Sequence, residues 1–336
     1  MSPIFYTAQI EKTMNHKTII SGRLEFGNQR TFEKVLNMYV QRVENYFKGD
    51  IVFKLEEVMD ESSFSISIPR FIGQSGEKTW LNTVNLLEYI TQFSVAGAID
   101  LWMVEQGKIL KHKHIEPKGD KIAVQSYLKG RALASKPGME NKARDAFNAA
   151  IEKYAKHALA YERRGYVNYK LGNIEDALYD FNKSITLHPA NPDPHVGAAI
   201  VKLTQNHYEE ALPYLDNAIK NSIPHQPVYW QARRLKAESY NALNQFDLAI
   251  KELKLFTSRN FEKTNPNFEY IAKAFFDYGK ALLNLGNYLD AIEMFDKAIL
   301  FIKNNNQIPV PEILPLKTKA MEKAGKNSTL EDSVVK

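Results

Sequence analysis

The sequence predicts two parts of different class: an α+β sandwich over residues 1–117, then an all-α row of repeated helix hairpins over 118–325, with residues 326–336 expected as a disordered tail. Three observations carry this. The first part mixes strand-like alternation with two amphipathic stripes and shows no long period. In the second part Ala143, Ala177 and Ala211 recur at intervals of 34 residues. Behind each lies the same stripe at i+4, i+7 and i+8: Phe147, Ala150 and Ile151, then Phe181, Ser184 and Ile185, then Leu215, Ala218 and Ile219. A hairpin with one such stripe cannot bury it alone, so copies must stack.

Composition narrows the classes. The 336 residues are 44% hydrophobic and 25% charged, as in ordinary globular chains. With no cysteine, disulfides and thiolate metal sites are excluded, which fits a reducing, cytoplasmic compartment. The N-terminal MSPIFYTAQIEKTMN has no basic start before an apolar core and is not expected to act as a secretory signal. No apolar run approaches the roughly 18–20 residues of a membrane span. Residues 1–120 hold 14 Lys and Arg against 15 Asp and Glu, and the remainder holds 30 against 24. Such a modest, interspersed surplus argues against nucleic acid as the main partner.

The first part reads in order as follows. Lys17–Phe26 is a strand. A helix follows, with Phe32, Val35, Leu36, Tyr39, Val40, Val43, Tyr46 and Phe47 on its stripe, closed by Gly49-Asp50. Ile51–Glu57 is a second strand, Met59–Ser62 a turn, and Phe64, Ile66 and Ile68 alternate with serines on a third. Ser75 caps a second helix carrying Trp80, Leu81, Val84, Leu87 and Ile90, closed by Gly97. Strands Ile99–Glu105 and Lys108–Ile115 flank a Gln106-Gly107 turn. This β-α-β-β-α-β order with one added strand is similar to a ferredoxin-like α/β sandwich.

Arg23, Ser65 and Ser67 on the polar face give no aromatic ladder for stacking bases. Asp60 and Glu61 sit in a tight turn, and Glu25 alone follows on the first strand, a poor match to a two-metal carboxylate site. His112 and His114 alternate about Lys113 and could bind zinc only if a third ligand converged; an exposed histidine pair is the plainer reading, and no metal or cofactor is expected. Phosphate loops, G-x-S-x-G elbows and H-E-x-x-H are missing, so no enzyme is expected.

In the second part, the run from Ala158 to Pro189 places Tyr161, Gly165, Gly172, Ala177, Phe181 and Pro189 in register. This closely resembles a tetratricopeptide repeat, whose period is 34 residues. Residues 124–157 form a looser first unit with Tyr127 and a Pro137-Gly138 break; residues 192–225 form a third with His195 and Asn206. Ala249 follows 38 residues after Ala211, preceded by Tyr240 and Phe246. Ala291 follows 42 later, among Gly279, Gly286, Tyr288, Phe295 and Ala298. The longer intervals are expected to hold insertions at 224–227 and 258–267. After Asn304–Asn306, Pro309, Pro311 and Pro315, a short polar helix near Leu316–Ala324 is expected to cap the array.

The resemblance implies a concave groove lined by the first helices, at the second, fifth, ninth, twelfth and thirteenth positions of each unit. Carried over, these are Leu159, Glu162, Tyr166, Tyr169 and Lys170, then Asp193, Val196, Ile200, Leu203 and Thr204. The fourth unit offers Gln231, Arg234, Glu238 and Asn241, and the fifth Lys273, Phe276, Lys280 and Asn284. A subfamily that grips carboxylate-terminated chaperone tails uses Lys and Asn at the fifth and ninth positions of its first unit. Leu128 and Ala132, or Glu162 and Tyr166, stand there instead, and Gly197 replaces a further Asn. The implied function is a non-enzymatic protein–protein interaction scaffold or adaptor that docks a peptide or helix of a partner. The implied groove residues are Glu162, Tyr166, Tyr169, Lys170, Ile200, Leu203, Arg234, Glu238, Asn241, Phe276 and Lys280; the tyrosines and aliphatic members, Tyr169 and Leu203 above all, fit equally a role in packing against a neighbouring unit. Self-association through a sheet edge of the first part is a further expectation. The rival reading is a ligand-sensing or catalytic α/β domain with a polar pocket near Arg23, Lys54, Glu56 and Trp102, and the repeats as its targeting arm.

Overall fold

The computed structural model describes residues 15–302 and 310–334, and the chain divides into two compact units between Arg164 and Gly165. The Asn304–Asn306 and Pro309 break, and residues 1–14 read for a leader, lie outside the described residues.

Strand β1 (His16–Glu25) is central in a five-stranded antiparallel sheet of order β2-β3-β1-β4-β5. The others are β2 (Met59–Asp60), β3 (Ser65–Ser75), β4 (Ala96–Glu105) and β5 (Lys108–Ile115). This is the ferredoxin-like order with β5 added outside β4, as expected. Helices α1 (Gln29–Gln41) and α2 (Glu77–Thr91) cover one face. There Ile20, Leu24, Ile66, Ile99, Leu101 and Met103 of the sheet meet Phe32, Val35, Tyr39, Trp80, Leu87 and Ile90. Burying each such side chain is worth about 1.5–3 kcal/mol, so this face sets the register of β1, β3 and β4.

Four local expectations are corrected. Residues 51–57 are not a strand, because their backbone is bound elsewhere. Asp50 takes bonds from Thr79 Oγ1 (2.6 Å) and Asn82 Nδ2 (3.0 Å to its carbonyl), and the Val52 N–H donates to Thr83 Oγ1 at 3.0 Å. A 3₁₀ turn, Leu55–Glu57, follows, and the edge strand shrinks to Met59–Asp60. The first helix changes to a π-helical turn, Arg42–Tyr46; its added residue swings Tyr46 out of the predicted stripe to 74% exposure. Ser75 does not cap α2: it ends β3, with its hydroxyl 2.6 Å from that of Thr18, and Gly76 is the cap. The helix stops at Thr91, well before Gly97. That glycine lies in β4 at φ +100°, where a Cβ would strike the Arg23 carbonyl.

The repeats are five hairpins. They are α3 (Ile122–Ala134) with α4 (Glu140–Lys153), α5 (Ala158–Lys170) with α6 (Ile174–Leu187), α7 (Pro192–Thr204) with α8 (Tyr208–Asn221), α9 (Pro227–Ala242) with α10 (Phe246–Thr257), and α11 (Ile271–Asn284) with α12 (Tyr288–Ile302). Five residues before each seam alanine stands one with positive φ: Gly138, Gly172, Asn206, Asn244 and Gly286. That left-handed residue turns the first helix into the second. The seam alanines Ala143, Ala177, Ala211, Ala249 and Ala291 are all fully buried. Small residues opposite let the rings in: a Cβ on Gly165 would stand 2.8 Å from the Phe181 ring, and one on Gly197 closer still.

The 38-residue interval holds little of the expected insertion at 224–227. Helix α9 has 16 residues where α7 has 13, and the connection 222–226 remains short. The 42-residue interval does hold an enlarged connection, 258–270. It is anchored by Phe261 against Phe256 (4.9 Å) and Trp230 (5.8 Å), and by Asn267 Nδ2 donating to the Pro227 carbonyl at 2.9 Å. The end helix α13 (Val310–Val334) is longer than expected and packs on α12, burying Ile313 and Ala320. Its backbone stays helical through 326–334, where a tail was expected; no proline follows Pro315 to stop it.

Candidate functional site

In the second unit the first helices α7, α9 and α11 lie side by side. Their neighbouring faces, with the end of α5, carry most of the residues that the repeat resemblance points to. Tyr169 bridges two successive hairpins through its hydroxyl, 2.9 Å from Thr204 Oγ1. Tyr166 donates to the Asp193 carbonyl at 2.9 Å and packs edge-on against Phe181. Both rings are half-buried, while Lys170 is exposed. Ile200 and Leu203 lean on the cluster formed by Val196, Ala211 and Leu215, so only part of each side chain is available to a ligand.

Further along, a charged ladder crosses from α9 to α11. Arg234 is 7% exposed, its guanidinium 3.8 Å from the Tyr270 ring centroid and 3.7 Å from Glu238. The same Glu238 oxygen receives Lys273 at 3.2 Å. Lys273 also meets Asp277 at 2.8 Å, and Lys280 meets the other Asp277 oxygen at 2.7 Å. Burial pushes the Asp277 carboxyl up, but Lys273 and Lys280 outweigh it and hold the group below its ordinary range. Lys273 is displaced upward: burial would lower it, and Asp277 with Glu238 more than compensates. Lys280 also lies over the Phe276 ring at 4.7 Å. Asn241 Nδ2 donates to the Asp277 carbonyl at 3.2 Å, and its buried Oδ1 makes no hydrogen bond among the described residues.

Four of the carried-over residues are buried and need correction, Val196 at 0% exposure and Arg234 among them. Glu162 is 1% exposed, paired with Arg163 at 3.2 Å, and belongs to the first unit. Phe276 is buried with Phe295 rather than offered as an anchor. Asp277 and Tyr270 were missed. The Lys-x-x-x-Asp-x-x-Lys spacing on one helix was a usable signal for Asp277; Tyr270 comes from the enlarged connection, outside the repeat register.

In the first unit the histidine pair and the Asp60 turn are engaged by neighbouring side chains. Asp100 Oδ1 accepts both His112 Nε2 (2.8 Å) and His114 Nδ1 (3.0 Å), and Trp102 stacks on the His112 ring at 5.2 Å. Bonding to Asp100 and Glu116 raises His114 to about 9, so it is a cation at neutral pH. Among the described residues no group of three or more His, Cys, Asp or Glu is arranged to hold a metal ion. Asp60 is bound by Ser62 and Ser63 within its own turn. Arg23, Lys54, Glu56 and Trp102 do not form one pocket. Arg23 and Trp102 lie on the sheet face away from α1 and α2, whereas Lys54 and Glu56 line a cleft against α1.

The tetratricopeptide repeat family matches residues 141–192, 196–257 and 272–305. A TPR repeat-containing protein of Methanocaldococcus jannaschii, MJ1428, is 27% identical over 177 residues, half of this chain and 28% of that relative's length. Among solved structures, YrrB, described as a TPR protein with an unusual peptide-binding site, is 22% identical. The match covers 53% of this chain and 86% of that one, with TM-score 0.44. PilW, a type IV pilus biogenesis factor, is 18% identical over 61% of this chain and 87% of its own, with TM-score 0.49.

Proposed function

We propose that this chain, which carries tetratricopeptide repeats, is a non-enzymatic scaffold that holds a polypeptide segment of a partner across α7, α9 and α11 in the cytoplasm. The ladder from Arg234 to Lys280 is the observation that carries this reading. Five charged side chains are fixed by one another, so a ligand meets a face whose side chains are already ordered and loses less entropy on binding. Glu238 and Lys280 keep 39% and 38% of their side chains exposed, and Asn241 retains an unbonded acceptor. Arg234, Lys273 and Lys280 outnumber Glu238 and Asp277, which favours a segment with an acidic side chain. Tyr169, on α5 against Thr204 of α7, supplies a flat surface further along the same row of first helices. Support against a catalytic role comes from the first unit, where both histidines and Asp60 are engaged by neighbours.

The test is a peptide-display selection on the full chain, followed by titration of the selected peptide against Lys280→Glu and Tyr169→Ala. Weakening by about tenfold or more in either variant, with unchanged melting, fits the reading. Unchanged affinity in both would refute it.

A further inference from the structure

We infer that the α/β unit holds a second binding site, a cleft of about 490 Å³ between α1 and residues 49–57, which takes a small cationic amphiphile: an apolar body inside and an ammonium group at the mouth. It is independent of the repeat face. The walls are Val40, Val43, Ile51, Phe53 and Leu55, with Tyr39 beneath them. The rim is Glu44, Glu56 and Glu57 against the single cation Lys54, so the mouth carries an excess of negative charge. Clefts of this size, apolar with a few polar groups, are the usual form of a small-molecule site.

Two irregular segments make the space, and each is pinned. The π-helical turn Arg42–Tyr46 widens the end of the helix, and the Val43 carbonyl accepts the Gly49 N–H at 2.9 Å. π-turns of this kind concentrate at functional sites. Opposite, residues 51–57 forgo the sheet because Asp50 and Val52 are tied to Thr79, Asn82 and Thr83 of α2. The cleft is therefore preformed rather than opened by a ligand.

Its polar groups are unevenly occupied. Glu57 accepts the Lys54 N–H at 3.0 Å. The side chains of Glu44 and Glu56 make no hydrogen bond or ion pair among the described residues. The buried Tyr39 hydroxyl reaches the Phe53 carbonyl only at 3.4 Å, well beyond the 2.7–2.8 Å usual for O–H···O, so it can turn to a ligand at little cost. Burial, reinforced by the nearby Glu56 and Glu57, raises this hydroxyl and keeps it a donor. An anion would meet the same carboxylates as repulsion.

Isothermal titration of the full chain with 4-phenylbutylammonium and with 4-phenylbutanoate tests the inference. The ammonium should bind about tenfold or more tightly than the carboxylate. The exposed double substitution Glu44→Lys/Glu56→Lys should erase or invert that preference without touching the core, and Val43→Trp should block both probes by filling the cleft. No heat from either probe up to about 10 mM would overturn the proposal. So would equal affinity for the two, or a preference that survives the double substitution.

Discussion

Replacing Asp277 with Asn should loosen the α9–α11 face without moving its backbone. The Asp277 side chain is 8% exposed and takes Lys273 at 2.8 Å and Lys280 at 2.7 Å. Deleting one member of a buried ion pair costs about 3–5 kcal/mol, because the partners keep a charge they can no longer share. Lys280 can move to water, but Lys273 remains beside the buried Arg234, so the low end, about 3 kcal/mol, applies. Hydrogen exchange of segments 227–242 and 271–284 reads this directly. A loss of about 3 kcal/mol accelerates exchange on the order of a hundredfold where the opening is local. The pair replacement Lys273→Met/Asp277→Leu should recover most of that loss, since it leaves no stranded charge between them. The sign with pH is fixed too. Because the folded carboxyl titrates below its ordinary range, its contribution is complete above the unfolded value and is lost as pH falls through the folded one. Wild type and Asp277→Asn should therefore begin to converge as pH falls through about 4, the unfolded value, and meet only below the lower folded one. Two single substitutions that each cost under about 1 kcal/mol and simply add would refute the coupled ladder.

Three other outcomes follow from contacts elsewhere. Gly165→Ala gains about 1 kcal/mol of helix propensity but drives a Cβ to 2.8 Å from a Phe181 ring already pressed by Gly197; a net melting loss equivalent to about 1–2 kcal/mol is expected, relieved in part by Phe181→Leu. Burial pushes Glu25 up to about 7 against the pull of Arg23, Tyr154 and Lys156. A raised carboxyl favours the fold below its unfolded value and loses that advantage as pH rises through the folded one, so Glu25→Gln should stabilise the first unit by about 3 kcal/mol at pH 8 and little at pH 4, read by thermal melts. Thr83→Val strands the Val52 N–H, and residues 51–57 should exchange faster by an amount equivalent to about 1–3 kcal/mol.

What the sequence made legible is what repeats or alternates. The seam alanines, the left-handed turn residues and the sheet order all follow from steric demands that recur at fixed spacing. Residues 51–57 misled because IVF has strand propensity, while the deciding bonds come from Thr79, Asn82 and Thr83 some thirty residues away. Tyr46 misled because a π-turn breaks the 3.6-residue count. At the candidate site, position within the unit points to Tyr169, Arg234, Glu238 and Lys280 alike, and cannot show that Arg234 is buried under Tyr270. That ring arrives from the insertion, which has no counterpart in the other units. A functional test there should use Lys280 or Tyr169, which a ligand can reach, rather than Arg234.

The central claim is that the first-helix face of the repeats holds another polypeptide. Hydrogen exchange of the full chain with and without a saturating selected peptide tests it most directly. Protection concentrated in 192–204, 227–242 and 271–284 is the predicted result. Protection confined to the second helices, 208–221, 246–257 and 288–302, or to residues 15–164, would contradict it.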